Sequence, residues 1–293
     1  MNIILGGKTM KKFLAILAAV ALTVGITGCS GGASQSQAKP STGTTAVSGF
    51  GADKLEKIKS SGTLVVGCDP TIQNICYLDS TTNSQTGFIP DIVNGFAKQL
   101  NVKVKWETLE WSAMISALNS GKVDMVAANM NMTTQRESQI LLTNCWLLDH
   151  AKACVKDTSK FKTFADISQP DVKFGVTQGS SYEDTIRAKF PKAKIVTLSA
   201  GTWQDSLKSG IIDVAYDDGV VFAGPTSKDK SLRVLEENGD AYMDGFAFAA
   251  GNYVTKDTFN LYLSKLKVSG EYATMYQKWM GYKWVPFADG VSY

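Results

Sequence analysis

The stretch from Gly121 to Arg136 reads GKVDMVAANMNMTTQR, and no other stretch limits the fold so closely. Val123, Met125, Val126, Ala127 and Ala128 form a short apolar run bounded by Gly121 and Asn129. That is the pattern of a strand covered on both faces in a parallel α/β sheet. In such sheets ligands bind just beyond the carboxyl ends of the strands. Asn129, Asn131, Thr133 and Thr134 stand at that end, where either threonine can cap a short helix carrying Arg136 near its start. A planar, permanently charged guanidinium beside exposed amides and hydroxyls suits a carboxylate, which it binds through two parallel hydrogen bonds. An ordinary surface arginine in a capped helix gives the same letters, so the choice falls to the rest of the chain.

From about Asp53 the pattern alternates. Helical stretches are expected at Lys54 to Ser60, Asp91 to Leu100 and Trp111 to Leu118, with strands at Leu64 to Val66 and Val102 to Trp106. A second series has strands at Val172 to Val176, Lys194 to Leu198 and Val214 to Tyr216, separated by helices at Tyr182 to Lys189 and Trp203 to Lys208. Strands alternating with helices imply parallel sheets with right-handed crossovers, and two such series imply two lobes. His150 to Lys156 and Gly245 to Gly251 read as extended connections between the series, a two-stranded hinge. Asp257 to Lys267 and Tyr272 to Trp279 read as helices, with Leu261, Leu266, Tyr276 and Trp279 available to pack on the first lobe. The expected organisation is residues 53–150 and 247–293 in lobe 1 and residues 151–246 in lobe 2.

The first residues differ in kind. Met10-Lys11-Lys12, the apolar run Phe13 to Val24 and Ile26-Thr27-Gly28-Cys29 read as an export signal over residues 1–28. The run is too short to span a bilayer comfortably. Met10 is the better-placed start, which makes residues 1–9 an upstream extension. Ile26 to Cys29 resembles the lipobox of bacterial lipoproteins, in which the cysteine is lipidated and becomes the first mature residue. Residues 29–52, rich in Gly, Ser, Thr, Gln and Ala, read as a flexible tether. The formal charge of +3 comes from 30 basic and 27 acidic groups, and Lys8, Lys11 and Lys12 lie in the signal, which has no acidic residue. The mature chain is therefore neutral and has no dense Lys/Arg run, which leaves no electrostatic case for nucleic acid.

Six segments together, SGTLVVGCDP (61–70), TGFIPDIVNGFAKQL (86–100), EWSAMISALNSGKVDMVAANMNMTTQR (110–136), FGVTQGSSYED (174–184), SGIIDVAYDD (209–218) and SGEYATMYQKWMG (269–281), carry a family resemblance. In order and spacing they resemble the amino-acid-binding proteins of bacterial ABC importers, solute-binding family 3, with the type II periplasmic-binding fold. The resemblance runs from about Ser61 to Tyr282. It implies two α/β lobes that close on a free, polar amino acid and deliver it to a membrane permease, with the protein a monomer, needing no cofactor, held by a lipid on Cys29 to the outer face of the cytoplasmic membrane. It implies that Arg136 grips the ligand's α-carboxylate, that Asp218 receives the α-ammonium and that Trp111 is an aromatic wall. Asn129, Asn131 and Thr133 match further ligand contacts, Ser180 and Ser181 the second lobe's donors to the carboxylate, and Asp69 a first-lobe residue facing the ligand. For Asp218 the alternative is a helix N-cap, and the neighbouring Asp217 leaves room for a slip of one position.

The chain departs from the family pattern in carrying Asn129 and Asn131 where Gly and Thr are usual, and Pro70, Thr71 and Ile72 where an aromatic often follows Asp69. In an exported protein Cys68, Cys76, Cys145 and Cys154 suggest two disulfides with three possible connectivities, with free thiols as the alternative in an anaerobe. No CxxC or HxxxH spacing supports a metal site at His150, the only histidine. No P-loop, GxSxG or HExxH occurs, and a Ser-His-Asp triad would depend on a histidine in the hinge. Because some proteins on this fold are dehydratases, an enzyme of the cyclohexadienyl dehydratase type is the alternative reading, with Asp69 and Asp218 as its acid-base pair. A ligand-sensing lobe is a further one, although no transmembrane helix follows Trp284 to Tyr293.

Overall fold

The computed structural model describes residues 53–285; the expected signal, Cys29 and tether lie outside them. Helix α1 (Leu55–Ser61) stops at Gly62, whose φ of 68° ends it in a left-handed turn. Strand β1 (Thr63–Cys68) follows, then a small antiparallel ribbon of β2 (Thr71–Ile72), β3 (Cys76–Asp79) and β4 (Ser84–Thr86). Helix α2 (Phe88–Gln99) begins three residues before the expected Asp91. Pro90 falls in its first turn, where the missing N–H has no intrahelical partner to lose. Strand β5 (Lys103–Thr108), a 3₁₀ turn at Trp111–Ala113, helix α3 (Met114–Asn119), strand β6 (Met125–Asn131) and helix α4 (Thr134–Glu137) complete the first series.

Two connecting strands, β7 (Ile140–Leu142) and the long β8 (Leu147–Lys156), lead through α5 (Phe164–Ile167) into the second series. That series is β9 (Lys173–Thr177), α6 (Tyr182–Lys189), β10 (Lys194–Leu198), α7 (Trp203–Ser209), β11 (Val214–Asp218) and α8 (Gly219–Lys228). Strands β12 (Leu232–Val234) and β13 (Ala241–Ala249) return the chain to helices α9 (Tyr253–Val268) and α10 (Glu271–Met280).

The strands form one curled sheet in the order β10-β9-β11-β8-β13-β6-β1-β5, with β12 added on β8 and β7 on β13. Within each half the pairs β1/β5, β1/β6, β9/β10 and β9/β11 are parallel, as expected. The sheet is nonetheless mixed, because β8 and β13 run antiparallel to their neighbours β11 and β6. These are the strands that carry the chain out of one half and back, so each crosses its host sheet in the return direction. They pair with each other from Ala241 opposite His150 to Asp244 opposite Leu147, so the two-stranded ribbon lies just before the expected stretches and shares only His150 with them; residues 151–156 pair with β11 and β12, and residues 245–249 with β6 and β7.

Each half has its own apolar core. In the first, α9 and α10 close over α2 and the sheet, and Phe259 meets Phe96, Phe246, Phe248 and Tyr262 at ring-centroid distances of 4.9 to 6.0 Å. Of the tail residues expected to pack, Leu266 and Tyr276 are buried, Trp279 is half-buried with its indole N–H donating to Asp91 at 2.7 Å, and Leu261 is 57% exposed. The inward stripe of α9 is Phe259, Tyr262, Leu263 and Leu266, at helical spacing, and Leu261 falls off it. The second half is centred on Phe174, Ile186, Phe190 and Tyr216.

Among the described residues Cys68, Cys76, Cys145 and Cys154 are buried free thiols, so the expected disulfides are not formed there and the free-thiol alternative holds. Cys154 lies in an apolar cluster of the second half, and the Cys145 thiol donates to the Leu147 carbonyl at 3.1 Å. Cys76 hydrogen-bonds Cys68, and this contact together with burial holds its thiol well above the usual range.

Candidate functional site

Strand β6 is buried at all seven positions. It runs on to Asn131, past the Ala128 end expected from its apolar letters, because its ladder with β13 continues to the pair Asp244 opposite Asn131. Asn129 and Asn131 thus belong to a covered strand, and residues two apart point to the same side. Both amides reach the second half: Asn129 Nδ2 donates to Asp218 Oδ2 at 2.8 Å, and Asn131 Nδ2 to Tyr182 Oη and Ser181 Oγ, each at 3.1 Å.

Thr133 is the N-cap of α4, as expected, accepting from the Arg136 backbone N–H at 3.2 Å. It lies outside the cavity lining and acts on the site through the helix it caps. Arg136 is 8% exposed, so the surface reading of that residue fails. Its Nη1 donates to the Asn131 carbonyl at 2.9 Å and its Nη2 to the Gly179 carbonyl at 3.4 Å, while Cζ stands 5.7 Å from the Trp111 ring. Trp111 Nε1 donates to the same Gly179 carbonyl at 3.3 Å. Gly179 has φ +79°, a conformation that L side chains rarely adopt, and a Cβ there would meet Ser112 at 3.4 Å.

Asp218 occupies the N-cap position of α8, yet its side chain makes no cap hydrogen bond. The capping alternative is therefore out. Its carboxylate accepts from Asn129 on one oxygen and from the Tyr182 hydroxyl on the other. Asp217 accepts from the Asp218 backbone N–H at 2.9 Å and from Thr177 Oγ1 at 3.4 Å.

These groups surround a narrow cleft with about 40 Å³ of free space inside it. Asp69, Trp111, Asn129, Asn131 and Arg136 line it from the first half, Ser180, Ser181 and Asp218 from the second. Sequence reading missed Tyr182 and Trp203 and used Asp217 only as a possible slip. The signal for Trp203 was position: it opens α7 just after strand β10 ends, where ligand sites form. Tyr182 carries no such mark, since an aromatic opening a helix usually serves the core, as this ring also does against Tyr216.

Electrostatics set the site apart. Burial raises Asp69 to about 6, with Glu110 adding to the effect and Thr71 opposing it. Burial also raises Asp217 and Asp218, each further by a neighbouring carboxylate, Asp69 in the first case and Asp217 in the second. Burial lowers Arg136, against which Asp244 and Asp218 act. Asp244 is wholly buried with neither carboxylate oxygen hydrogen-bonded, and burial holds its pKa well above the usual range. Asn129 Oδ1 and Ser180 Oγ are likewise buried without a partner at the cleft. Among the described residues no group of three or more His, Cys, Asp or Glu is arranged to hold a metal.

A family model for bacterial extracellular solute-binding proteins, family 3, matches residues 64–282. The chain belongs to this family. This family 3 protein is similar to the L-cystine-binding protein TcyA of Bacillus subtilis (strain 168), 27% identical over 232 residues that cover 78% of this chain and 85% of the relative. It is similar to the glutamine-binding protein of Geobacillus stearothermophilus, 27% identical over 258 residues, 84% of this chain and 96% of the relative. Among solved structures it is similar to the ancestral amino acid-binding protein AncCDT-1, a precursor of cyclohexadienyl dehydratase, with a TM-score of 0.72, 30% identity and coverage of 78% and 99% of the two chains. The type II periplasmic-binding fold expected from the sequence is the fold of this chain.

Proposed function

We propose that the protein is the extracytoplasmic substrate-binding component of an ABC importer, taking a free amino acid between two closing lobes and handing it to a membrane permease. Lobe 1 is residues 53–150 and 247–293, lobe 2 is residues 151–246, and the pair β8 and β13 is the hinge. The observation that carries the reading is the cleft itself: one guanidinium, Arg136, and the carboxylate of Asp218 line the same cavity from opposite halves. A zwitterion supplies partners for both, and buried charges need partners. Asn129 Oδ1 and Ser180 Oγ are hydrogen-bonding atoms that such a ligand can satisfy. Closure is favoured because the ligand bonds both lobes only in the closed state. Among the described residues no helix is long and apolar enough to cross a membrane, and the anchor is the lipid on Cys29.

Titration calorimetry against amino acids, peptides, sugars and polyamines tests the ligand class. Heat from peptides or sugars alone would overturn it, and turnover of prephenate or arogenate would favour a dehydratase, the descendant named for AncCDT-1. Labelling cells with a radioactive fatty acid tests the anchor, with label expected on the wild type and lost in Cys29→Ala.

A further inference from the structure

Resting on the reading of the cleft as an amino-acid site, the charges that line it narrow the ligand. Asp69, Asp217 and Asp218 line the cavity, and Arg136 is the one Lys, Arg or His among the lining residues. The three carboxylates are not equivalent. Asp218 has both oxygens engaged by strong donors from within the chain, the Asn129 amide and the Tyr182 hydroxyl. Asp69 and Asp217 accept no side-chain hydrogen bond shorter than 3.4 Å: Asp69 accepts from Thr71 N at 3.2 Å, and Asp217 from Thr177 Oγ1 at 3.4 Å and the Asp218 N–H at 2.9 Å.

A zwitterion with a neutral side chain places its carboxylate on Arg136 and its one ammonium on Asp218. Asp69 and Asp217 then stay in a closed cleft without a cation, an arrangement that folded interiors avoid. A second positive charge on the ligand's side chain gives that pair a partner. The walls suit such a side chain: Trp111, Trp203, Ile72 and Val221 line the cavity, and aromatic and aliphatic faces accept both the methylenes and the flat or tetrahedral cation at their end. We propose that the ligand is a basic amino acid, with an ammonium or guanidinium on its side chain, and that Asp69 and Asp217 are the residues that select it. Burial together with the mutual repulsion of the pair raises Asp217, which is the electrostatic cost a side-chain cation removes.

The test compares ligands that differ in charge at nearly constant shape. Calorimetry on the purified chain measures arginine against citrulline, with lysine, glutamine and cystine beside them. Arginine or lysine is expected to bind at least ~100-fold more tightly than citrulline or glutamine, a ratio in the range set by losing one partner of a buried charged pair. Asp217→Asn and Asp69→Asn, matched in shape, should each cut that ratio by about tenfold or more. Citrulline, glutamine or cystine binding as tightly as arginine in the wild type overturns the inference and leaves the amino-acid reading standing. Binding of no amino acid overturns both.

Discussion

Asn129 Nδ2 donates to Asp218 Oδ2 at 2.8 Å, joining the ends of β6 and β11 across the cleft. The residue expected to receive a ligand ammonium is thus also a structural tie between the halves. Replacing it has two effects that separate experimentally. Asp218→Ala frees the Asn129 amide and the Tyr182 hydroxyl, so the melting temperature should fall by the equivalent of about 1–3 kcal/mol. Affinity should fall by roughly tenfold to a thousandfold if the carboxylate also meets the ligand. Lost stability with unchanged affinity would leave Asp218 as the tie alone.

Arg136→Ala should weaken ligand binding by about two to four powers of ten, since the partner of a buried carboxylate is worth roughly 3–5 kcal/mol. Arg136→Lys should recover only part of this, because an ammonium cannot reproduce a planar fork that holds the Asn131 and Gly179 carbonyls together. Isothermal titration of both variants decides it; wild-type affinity in Arg136→Ala would remove the residue from the binding role.

The raised carboxylates fix the pH response. Asp69, at about 6, is held above the ordinary 3.8, so the folded protein without ligand keeps a proton that the unfolded chain has lost. Its contribution to stability is present below about 4 and is lost as pH rises through 6. Asp229, held at about 2 by Lys208 foremost, titrates below this window. Between pH 5 and 7.5 the ligand-free protein should therefore lose about 1 kcal/mol through Asp69, a few degrees of melting temperature, and Asp69→Asn should flatten that slope. Binding of a cation needs the ionised carboxylates, which Glu110, Asp149 and each other oppose, so affinity should drop by about tenfold from pH 7.5 to pH 5. Calorimetry and thermal melts across that range measure both, and parallel changes would contradict the assignment.

Phe259 is fully buried between α2 and β13. Phe259→Ala should cost about 3–5 kcal/mol and lower the melting temperature by some 6–20 °C for a domain of this size. Ligand affinity in the folded protein should change little, since the ring lies away from the cleft lining. Denaturant unfolding gives the first quantity and calorimetry the second.

Much of the fold and of the site is legible in the sequence. The apolar run before Asn129 marks a covered strand because burial on both faces leaves no polar period, and Thr133 before Arg136 marks a cap because the helix needs its oxygen. Arg136 itself was ambiguous: exposure belongs to the assembled fold, and only the Gly179 carbonyl and the Trp111 ring make this arginine part of a site. A two-stranded hinge was expected, but its direction and register were not, since strand direction is set by where the chain must return, which local letters do not encode. The disulfide reading failed where the free-thiol reading held, because spacing says nothing of distance: Cys68 and Cys154, for example, lie in separate cores. Tyr182 was hidden because its ring serves the core while its hydroxyl serves Asp218.

The return of the chain through β13 sets an order of assembly. Residues between β8 and β12 can gather their own core as soon as they are made, whereas Phe88 and Phe96 wait for Phe246, Phe259, Tyr272 and Tyr276, which come more than 140 residues later. The half that is started first is finished last. Until α9 and α10 arrive it presents a wide apolar face, so the growing chain is most exposed to mispairing in its oldest part.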